Sequence, residues 1–338
     1  MSNWLFLSLV ALASLMFTWV LRRYALARSI IDIPNARSSH SVPTPRGGGI
    51  AIVLSYLSGL ALFAYTGLLP MHLTCAMLGA GATVAVLGFL DDHGHIAARW
   101  RLLGHFAASI WVLYWLGGLP VIILFGLNVE LGWLGHILAV LYLVWLLNLY
   151  NFMDGIDGIA SVEAICTCLS ASLLYWLLGF EGLMILPLVL AAAVAGFLFW
   201  NFPPARIFMG DAGSGFLGII LGVLSLQAAW ASPAFLWVWL ILLGVFIVDA
   251  TFTLIRRLVR GDKVYEAHRS HAYQFASRHF GKHLPITLTV AAINLLWLLP
   301  IALCVALWGM DGFLGLAIAY LPLILLAVKF KAGELERT

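Results

Sequence analysis

The part of the sequence best suited to chemistry runs from residue 148 to residue 158, where amides and carboxylates recur at every third position. They are Asn148, Asn151, Asp154 and Asp157. Side chains three residues apart are near neighbours on a helix, but at about 100° per residue four of them drift round its surface and cannot form one stripe. The apolar run before them and Gly155 within them predict a helix that ends near Gly155 and opens into a polar turn. We interpret this turn as a site; the alternative is a polar loop between two apolar segments.

A second acidic group, Asp91 and Asp92, directly follows the apolar run that ends at Leu90. The next charged or titratable residues are His93, His95, Arg99 and Arg101. Adjacent carboxylates repel, so at least one should have a raised pKa unless a cation lies between them. A raised pKa suits a general base, and a solvated loop is the alternative.

A third acid, Asp211, lies just before Gly213 and the apolar run that follows. The first turn of a helix has free N–H groups and a positive dipole end, so it attracts phosphate. An acid at this position either caps the helix or binds a metal. Phe208, three residues upstream, could stack on a base or fill the core.

The glycine-rich segment at residues 43–49 contains two prolines, Arg46 and three consecutive glycines. The prolines favour extended backbone, and the glycines allow close approach to a ligand or to a neighbouring helix. Packing of small residues between membrane helices explains the glycines equally well. His40 and Arg46 could bind phosphate, although Arg46 could instead anchor the end of its helix.

The most basic segment, residues 256–283, is predicted to be one long loop and contains seven Lys or Arg residues and four histidines. Such a segment can bind anionic lipid headgroups or clamp a pyrophosphate. His268 and His271 are three residues apart and could share a helix face. Asp249, upstream of the segment, is expected to pack at a helix end.

Composition indicates which elements position these residues. The chain has 338 residues, of which 63% are hydrophobic and 10% charged, with a mean hydropathy of +1.02, and this excludes a soluble domain. Apolar runs of roughly 17–25 residues can cross a bilayer as helices. Eleven occur, at about 4–21, 47–65, 72–90, 102–119, 133–149, 159–178, 183–200, 213–230, 234–255, 284–307 and 312–330. We therefore predict an all-α polytopic membrane protein with about 11 transmembrane helices in a single domain, residues 1–338. The four cysteines fall inside these runs and are interpreted as small buried hydrophobes.

The positions of the positive charges predict the orientation. With eleven spans and a periplasmic N-terminus, all 18 Lys and Arg residues fall in or beside the segments on one side. These segments are 22–46, 91–101, 150–158, 201–212, 256–283 and the C-terminal tail. Positive residues mark the cytoplasmic side, so the C-terminus is expected in the cytoplasm. Arg22 and Arg23 follow the first run, the reverse of a cleaved signal peptide, and we keep that run as a span.

All the acids of interest then lie at span ends on the cytoplasmic side. They are Asp91, Asp92, Asp154, Asp157 and Asp211. Carboxylates with phosphate oxygens suit Mg²⁺ or Mn²⁺ rather than zinc. An acidic metal site ringed by Arg and His at a membrane surface favours phosphoryl transfer between a nucleotide from the cytosol and a lipid phosphate from the bilayer, and no nucleic-acid partner is expected.

Two other functions compete with phosphoryl transfer. A transporter or flippase would place ionisable residues near the bilayer midplane, often on broken helices, whereas here the acids cluster at one end. A CDP-alcohol phosphotransferase shares an Asp-Gly start with residues 154–158, but the Ala-Arg expected after it and the further paired acids are missing.

Four motifs carry a resemblance to a known family. Residues 88–92, 148–158, 201–215 and 268–271 resemble those of the polyprenyl-phosphate N-acetylhexosamine-1-phosphate transferases, glycosyltransferase family 4, which includes WecA and phospho-MurNAc-pentapeptide translocase. The resemblance runs in order from about Arg37 to Gln274. The His-Arg-Ser-His-Ala-Tyr-Gln sequence is most similar to the WbpL-type branch that initiates O-antigen units.

The resemblance implies a reaction and its substrates. A UDP-N-acetyl-sugar donor would transfer HexNAc-1-phosphate (GlcNAc, or a 6-deoxy-HexNAc such as FucNAc or QuiNAc) to undecaprenyl phosphate, with Mg²⁺ and release of UMP. This would be the first step of O-antigen or another cell-surface polysaccharide. The enzyme would lie in the bacterial inner membrane with its active site facing the cytoplasm. We also allow for a homodimer.

The resemblance further implies residue roles. Asp91 matches the family's proposed base for the lipid phosphate, with Asp92 beside it, and Asp211 matches the metal ligand. Asn151 and Asp154 match the nucleoside and metal neighbourhood, and Phe208 the residue that stacks on uracil. His268 and His271 match the histidine motif. The substrate-binding set is completed by Asn148, Asp157, Arg46 and Arg269, and segment 256–283 is expected to shape the sugar or diphosphate site.

Two departures from the family leave roles open. The peptidoglycan enzyme has three consecutive histidines, whereas Arg269 and Ser270 separate two here. A lysine that the family uses near the glycine segment has no clear counterpart, and Arg46 is only a candidate. The role of each histidine, the sugar, and the choice between direct displacement and a covalent aspartyl intermediate therefore stay open.

Overall fold

The computed structural model describes residues 3–34, 39–94, 96–263 and 268–334, and nearly all of the regular structure in these ranges is helical. The helices are α1 Asn3–Ala27, α2 Ile50–Tyr65, α3 Met71–Gly94, α4 Ala98–Leu116, α5 Gly132–Met153, α6 Ile159–Leu177, α7 Glu181–Asn201, α8 Asp211–Ala231, α9 Pro233–Leu242, α10 Gly244–Arg260, α11 Ala272–Phe280, α12 His283–Ile293, α13 Leu299–Leu307 and α14 Gly312–Lys329, with a π-helical segment Asn294–Leu298 between α12 and α13. Two short antiparallel pairs complete the fold, β1 Ile31–Asp32 with β2 Thr44–Pro45 and β3 Ile122–Leu124 with β4 Leu127–Val129.

Each predicted apolar run coincides with a helix or with helices that follow one another closely. Among the described residues, eight helices are long and apolar enough to cross a membrane, or nine if the bent pair α9–α10 is one span. Helix α2 is shorter, and α4 begins with Arg99 and Arg101, which lower its hydropathy. The all-α polytopic class is confirmed, while the count of eleven spans and their orientation stay predictions.

Helix α8 lies at the centre of the protein. Of its most apolar 18 residues, 94% are buried within the protein, against 22% for α1 at the periphery. It packs against α3 on one side and α5 on the other. Because the ends of these three helices carry the acids singled out above, packing around α8 fixes where those acids meet.

The basic segment 256–283 is not the long loop that its charge suggested. Helix α10 continues to Arg260, α11 covers 272–280, and α12 starts at His283. Residues 264–267 lie outside the described part. The prediction of one loop was wrong because charge marks exposure to water and not backbone conformation. The cysteines carry no disulfide; Cys166 and Cys168 are buried, and Cys75 and Cys304 half-buried.

Candidate functional site

The site is built where the end of α3 meets the start of α8. Asp91 and Asp92 lie on the last turn of α3, not in the loop predicted after it. The helices touch closely because a methyl group at Gly88 would lie 2.5 Å from the backbone nitrogen of Ala212. This contact brings Asp92 Oδ2 to 3.5 Å from that nitrogen and places both acids beside Asp211.

Arg101 of α4 connects two of these acids. It forms an ion pair with Asp91, and its Nη1 lies 3.4 Å from Asp211 Oδ2. Asp91 also accepts a hydrogen bond from the backbone N–H of Ile96, at 2.7 Å. Its side chain is 10% exposed and lines neither of the two cavities described below. The sequence predicted Asp91 at the centre of the chemistry, and the structure places it behind Arg101.

The polar turn after α5 forms as predicted. The helix ends at Met153, and Asp154 is its C-terminal cap residue. Asn201 at the end of α7 fixes the turn, since its Oδ1 accepts from Gly158 N at 3.0 Å and its Nδ2 donates to Ile207 O at 3.0 Å. Asp157 Oδ2 accepts from Ala205 N at 3.0 Å. These bonds hold the α5–α6 turn against the loop before α8.

An acidic cavity of about 260 Å³ opens between these elements. Among its lining residues are eight singled out from the sequence, namely His40, Arg46, Asp92, Asn151, Asp154, Asp157, Phe208 and Asp211. Arg46 donates a hydrogen bond to the backbone carbonyl of Asp92. The prediction that distant acids meet in one pocket is therefore met by four of the five.

Asp154 has the most unusual environment among these acids. Burial, followed by the negative charges of Asp211, Asp157 and Asp92, raises the pKa of Asp154 well above its ordinary value. Four carboxyl groups this close favour a bound cation, which would keep them ionised. The described residues contain no cluster of three or more His, Cys, Asp or Glu side chains arranged as metal ligands. Mg²⁺ usually takes one or two carboxylates and fills its shell with phosphate oxygens and water, so the donor set fits Mg²⁺ together with a phosphorylated ligand.

A second cavity of about 260 Å³, the histidine cavity, lies on the other side of Asp211. Asn151 and Asp211 line both cavities. The remaining walls of the histidine cavity are mixed: its polar residues are Arg101, His105, Asn148, His268 and His271, and its apolar ones are Val84, Leu87, Leu147 and Phe152, with Gly88 and Gly215 between. Two chambers, one acidic and one with mixed polar and apolar walls, thus meet at a shared wall.

His105 was not singled out from the sequence. Its Nδ1 lies 3.4 Å from Asn148 Nδ2. Asn148 also donates to the carbonyl of Val144 at 2.7 Å. The available signal was spacing, because His105 follows Arg101 by four residues and so lies on the same face of α4.

The histidine loop, residues 268–271, precedes α11. His271 is the N-cap residue of α11 and His268 lies before the helix, so the two do not share a helix face as predicted, although their rings lie close together, with centroids 4.9 Å apart and planes tilted by 33°. Asp249 of α10 accepts from Ala272 N at 2.9 Å and Tyr273 N at 3.0 Å, and lies 3.3 Å from His271 Nδ1. The expectation that Asp249 packs at a helix end is confirmed, and its carboxylate holds the histidine loop in place.

His268 is uncharged at neutral pH. Burial, and then the charges of His271 and Arg257, lower the pKa of His268 to about 3. Arg269 between the histidines lines neither the acidic nor the histidine cavity. Its backbone carbonyl accepts from Arg278 at 3.2 Å.

His283 is a further residue of the site. The sequence analysis counted it in the basic segment and gave it no role. Its Nδ1 lies 3.1 Å from Asp157 Oδ1, and its Nε2 lies 3.0 Å from the carbonyl of Ser39. It lines the acidic cavity together with His40, whose ring contacts Phe208 edge-on at 4.8 Å. No sequence motif marks this residue, since 126 positions separate it from Asp157.

The glycine segment serves packing. Gly48 N and Gly49 N donate to the carbonyls of Phe208 and Met209, at 2.9 and 2.8 Å. A methyl group at Gly49 would lie 2.5 Å from the Cα of Gly213. The segment therefore anchors the loop that carries Phe208, and Arg46 is the member of the segment whose side chain reaches a charged part of the site.

A polytopic α-helical membrane protein with carboxylates, arginines and histidines gathered at one end of its helices is the class that fold and site define. Comparison with known proteins identifies a family and individual relatives. The sequence model of Glycosyl transferase family 4 matches residues 74–229. A probable undecaprenyl-phosphate N-acetylglucosaminyl 1-phosphate transferase of Bacillus subtilis is 31% identical over 269 residues, which cover 78% of this chain and 74% of that protein.

Other relatives agree. The undecaprenyl-phosphate alpha-N-acetylglucosaminyl 1-phosphate transferase of Thermotoga maritima is 27% identical over 286 residues, covering 83% of this chain and 84% of the relative. The decaprenyl-phosphate N-acetylglucosaminephosphotransferase of Mycolicibacterium smegmatis is 31% identical over 251 residues, 66% of this chain and 60% of the relative. The chain belongs to glycosyl transferase family 4, as its motifs indicated, and the WbpL-type branch stays a prediction.

Proposed function

We propose that this protein transfers HexNAc-1-phosphate from a UDP-sugar to undecaprenyl phosphate and releases UMP. The relatives named above, which are called polyprenyl-phosphate N-acetylglucosamine-1-phosphate transferases, support the general reaction. The observation that carries the proposal for this chain is the pair of cavities that share Asp211 and Asn151. Two substrates of different polarity can occupy separate cavities, and their reacting groups can meet at the wall that the cavities share.

The acidic cavity suits the nucleotide-sugar. Phe208 offers a ring for the base, and Arg46 offers a cation near the diphosphate. Asp154 and Asp211 would hold Mg²⁺, and Asn151 would contribute an amide oxygen. When bound, Mg²⁺ neutralises diphosphate charge and stabilises the departing UMP.

The histidine cavity suits the lipid phosphate. Its apolar wall can contact the first part of a prenyl chain, while Arg101 and His105 would face the phosphate. Neutral His268 can exchange hydrogen bonds with that phosphate without adding charge. An acceptor phosphate oxygen would form a bond to the sugar-bearing phosphorus of the donor, and the bond from that phosphorus to the bridging oxygen would break, so the oxygen leaves with UMP.

The structure suggests a different role for Asp91 from the one implied by the resemblance. Asp91 is bound by Arg101 and Ile96 N and lines neither cavity. We therefore assign Asp91 to orienting Arg101 towards the shared wall. Asp211, which lines both cavities, would accept a proton from the acceptor phosphate, and Asp92 lies beside it in the acidic cavity.

A direct assay tests the proposal. Purified protein would be incubated with Mg²⁺, undecaprenyl phosphate and UDP-GlcNAc or a UDP-6-deoxy-HexNAc, and UMP would be measured. Asp154→Asn and Asp211→Asn should each lower turnover about 100-fold or more, because each removes charge from the metal and diphosphate site. Asp311→Asn is the matched control, since Asp311 caps the start of α14 and lies outside both cavities. Near-normal turnover by both site variants would refute the assignments, and absence of UMP with every UDP-sugar would refute the reaction.

The cellular setting belongs to the proposal as well. We infer a bacterial inner-membrane enzyme whose site faces the cytoplasm, because the positive residues cluster on that side of the predicted spans. Reporter fusions after residue 158 and residue 231 test this: the first should report the cytoplasm and the second the periplasm. The panel of UDP-sugars in the assay decides between GlcNAc and a 6-deoxy-HexNAc, and hence bears on an O-antigen role.

A further inference from the structure

Helix α14 ends in a turn that sends the chain back over the protein. Lys331 has a positive φ of 54°, an uncommon conformation for a residue other than glycine. Ala332 N donates to Ala327 O at 2.9 Å and Lys331 N donates to Val328 O at 3.0 Å, which is the bonding pattern of a Schellman motif. The turn directs residues 332–334, which we call the tail segment, across the end of α10.

Helix α10 holds the tail segment through two arginines near its end. Arg256 Nη1 donates to the carbonyl of Ala332 at 3.1 Å, and Arg260 Nη1 donates to the carbonyl of Gly333 at 2.5 Å. Arg256 Nη2 also pairs with Glu334 Oε1 at 2.8 Å, but both side chains are 38% exposed, and exposed ion pairs contribute little. The hydrogen bonds to the backbone of the tail segment therefore matter more than its charge.

The tail segment also packs closely against its neighbours. Ala332 is fully buried in a small apolar cluster with Ala272 of α11 and Ala327 of α14. Gly333 has a φ of +75°, and a Cβ added there would lie 3.0 Å from the Cβ of Arg256 and 3.2 Å from the carbonyl oxygen of Thr253. A side chain at this position would push the tail segment away from α10, so the close approach requires glycine.

The tail segment bonds directly to the histidine loop. Gly333 N donates to the carbonyl of Ser270 at 2.7 Å. Ser270 in turn contacts His268, because its Oγ lies 2.9 Å and its backbone N lies 3.3 Å from His268 Nδ1. A backbone N–H can only donate, so Nδ1 accepts, and the proton of neutral His268 is on Nε2. The loop is thus held by Asp249 at residues 271–273 and by the tail segment at Ser270.

We propose that the tail segment is a positioning element, which fixes the backbone of the histidine loop and, through Ser270, orients His268 in the histidine cavity. The tail segment lines neither this cavity nor the acidic one, so it acts through the loop and not on a substrate. Because Ser270 occupies Nδ1 of His268, the Nε2–H group is the donor for a phosphate oxygen. The effect on turnover rests on the proposed function, whereas the effect on the loop backbone does not.

Hydrogen–deuterium exchange of the purified protein in detergent tests the contact between the tail segment and the loop. Deleting residues 332–338 removes the donor to the Ser270 carbonyl. Exchange at residues 268–276 should then become about tenfold faster, as expected for the loss of about one net hydrogen bond. Deleting only residues 335–338 is the matched control, because it keeps every contact named above, and its exchange should match wild type.

A single substitution makes the same test in the full-length chain. Gly333→Ala adds a methyl group that conflicts with Arg256 and Thr253, and it should speed exchange at residues 268–276 about three- to tenfold. Gly309→Ala is the matched control, because Gly309 before α14 also has a positive φ, of 67°, but a Cβ added there meets nothing within 4 Å. Both substitutions carry the same kind of backbone strain, and only the first disturbs the tail segment.

Kinetics of these variants separates positioning from general damage. Deleting residues 332–338 should raise the apparent KM for undecaprenyl phosphate about tenfold, while the KM for the UDP-sugar stays within about twofold, since His268 lines only the histidine cavity. Ser270→Ala keeps the carbonyl that Gly333 bonds and loses the hydroxyl near His268. It should raise the same KM about threefold with wild-type exchange at 268–276. Loss of folded protein would instead lower turnover without changing either KM.

Several outcomes would overturn the proposal. Wild-type exchange at 268–276 in the protein without residues 332–338 would refute it, as would equal increases in Gly333→Ala and Gly309→Ala. Faster exchange with an unchanged KM for undecaprenyl phosphate would refute the link from the loop to His268. If the protein without residues 332–338 does not accumulate, the same criteria apply to Gly333→Ala. Exchange needs no substrate, so a wild-type protein that turned over no UDP-sugar would refute the proposed function and leave the exchange test standing.

Discussion

The substitution Gly88→Ala, which adds one methyl group, should lower activity strongly and stability only slightly. An added Cβ would lie 2.5 Å from Ala212 N, 2.5 Å from the carbonyl carbon of Asp211 and 2.6 Å from Ala212 Cα. All three are backbone atoms, so no side chain can rotate away. Ordinary carbon contacts need about 3.5 Å, and α3 must therefore move about 1 Å away from the start of α8.

The two consequences of Gly88→Ala differ in size. Overpacking costs about 1–3 kcal/mol, and alanine regains about 1 kcal/mol of helix propensity over glycine, so the net loss of stability is about 0–2 kcal/mol. The same shift separates Asp92 from Asp211 by about 1 Å, and displacement on that scale can lower turnover about 100-fold. We expect a folded protein with little activity.

UMP release and thermal unfolding in detergent measure the two effects. The matched control is Gly94→Ala, because Gly94 ends the same helix and a methyl group there meets nothing within 4 Å. The control should keep wild-type turnover. If Gly88→Ala turned over at the wild-type rate, the close contact of α3 with α8 would not set the site geometry, and the reasoning would be wrong.

Three further predictions concern charge, metal and pH. Arg101→Gln should lower turnover about 10- to 100-fold, since it leaves Asp91 and Asp211 without their shared cation. Arg99→Gln is the control and should leave turnover unchanged, because Arg99 lies outside both cavities. Equal effects of the two substitutions would show that Arg101 has no specific role in the site. Removing divalent cations with EDTA should abolish UMP release and added Mg²⁺ or Mn²⁺ should restore it, and full activity in EDTA would exclude the metal role of Asp154. The pKa of His268 is lowered to about 3 in the folded protein, whereas it is about 6.5 in an unfolded chain. As the pH falls, the unfolded state therefore binds the proton first. His268 thus contributes stability above pH 6.5, and this stability is lost progressively towards pH 3. The melting temperature of wild type should therefore fall more between about pH 7.5 and pH 5 than that of His268→Gln, with His279→Gln, an exposed control on α11, behaving as wild type.

Sequence reasoning succeeded where the signal is local. Hydropathy over some twenty residues determines whether a segment can leave water, and all the predicted runs became helical. The polar turn beginning at Asp154 was also predictable, because an apolar helical run followed by glycine and carboxylates cannot continue inside a membrane. Grouping of acids on one side followed from where the spans end.

Sequence reasoning failed where rotation and packing of helices decide. Asp91 and Asp92 are adjacent in sequence and about 100° apart on a helix, so one can face the acidic cavity while the other faces Arg101. Which one does so depends on how α3 packs on α8 through Gly88. The prediction of one loop at residues 256–283 failed for a related reason. The basic charge near His271 indicates contact with water, but it does not indicate the helices that form there.

By itself, then, the amino-acid order determined a polytopic helical protein with carboxylates at span ends and motifs of a transferase family, because hydropathy and short motifs are properties of contiguous residues. Tertiary structure alone decided that two cavities share Asp211 and that His105 and His283 belong to them. Such contacts arise from close packing of helices whose rotations are set by many side chains at once, and no stretch of sequence contains that information on its own.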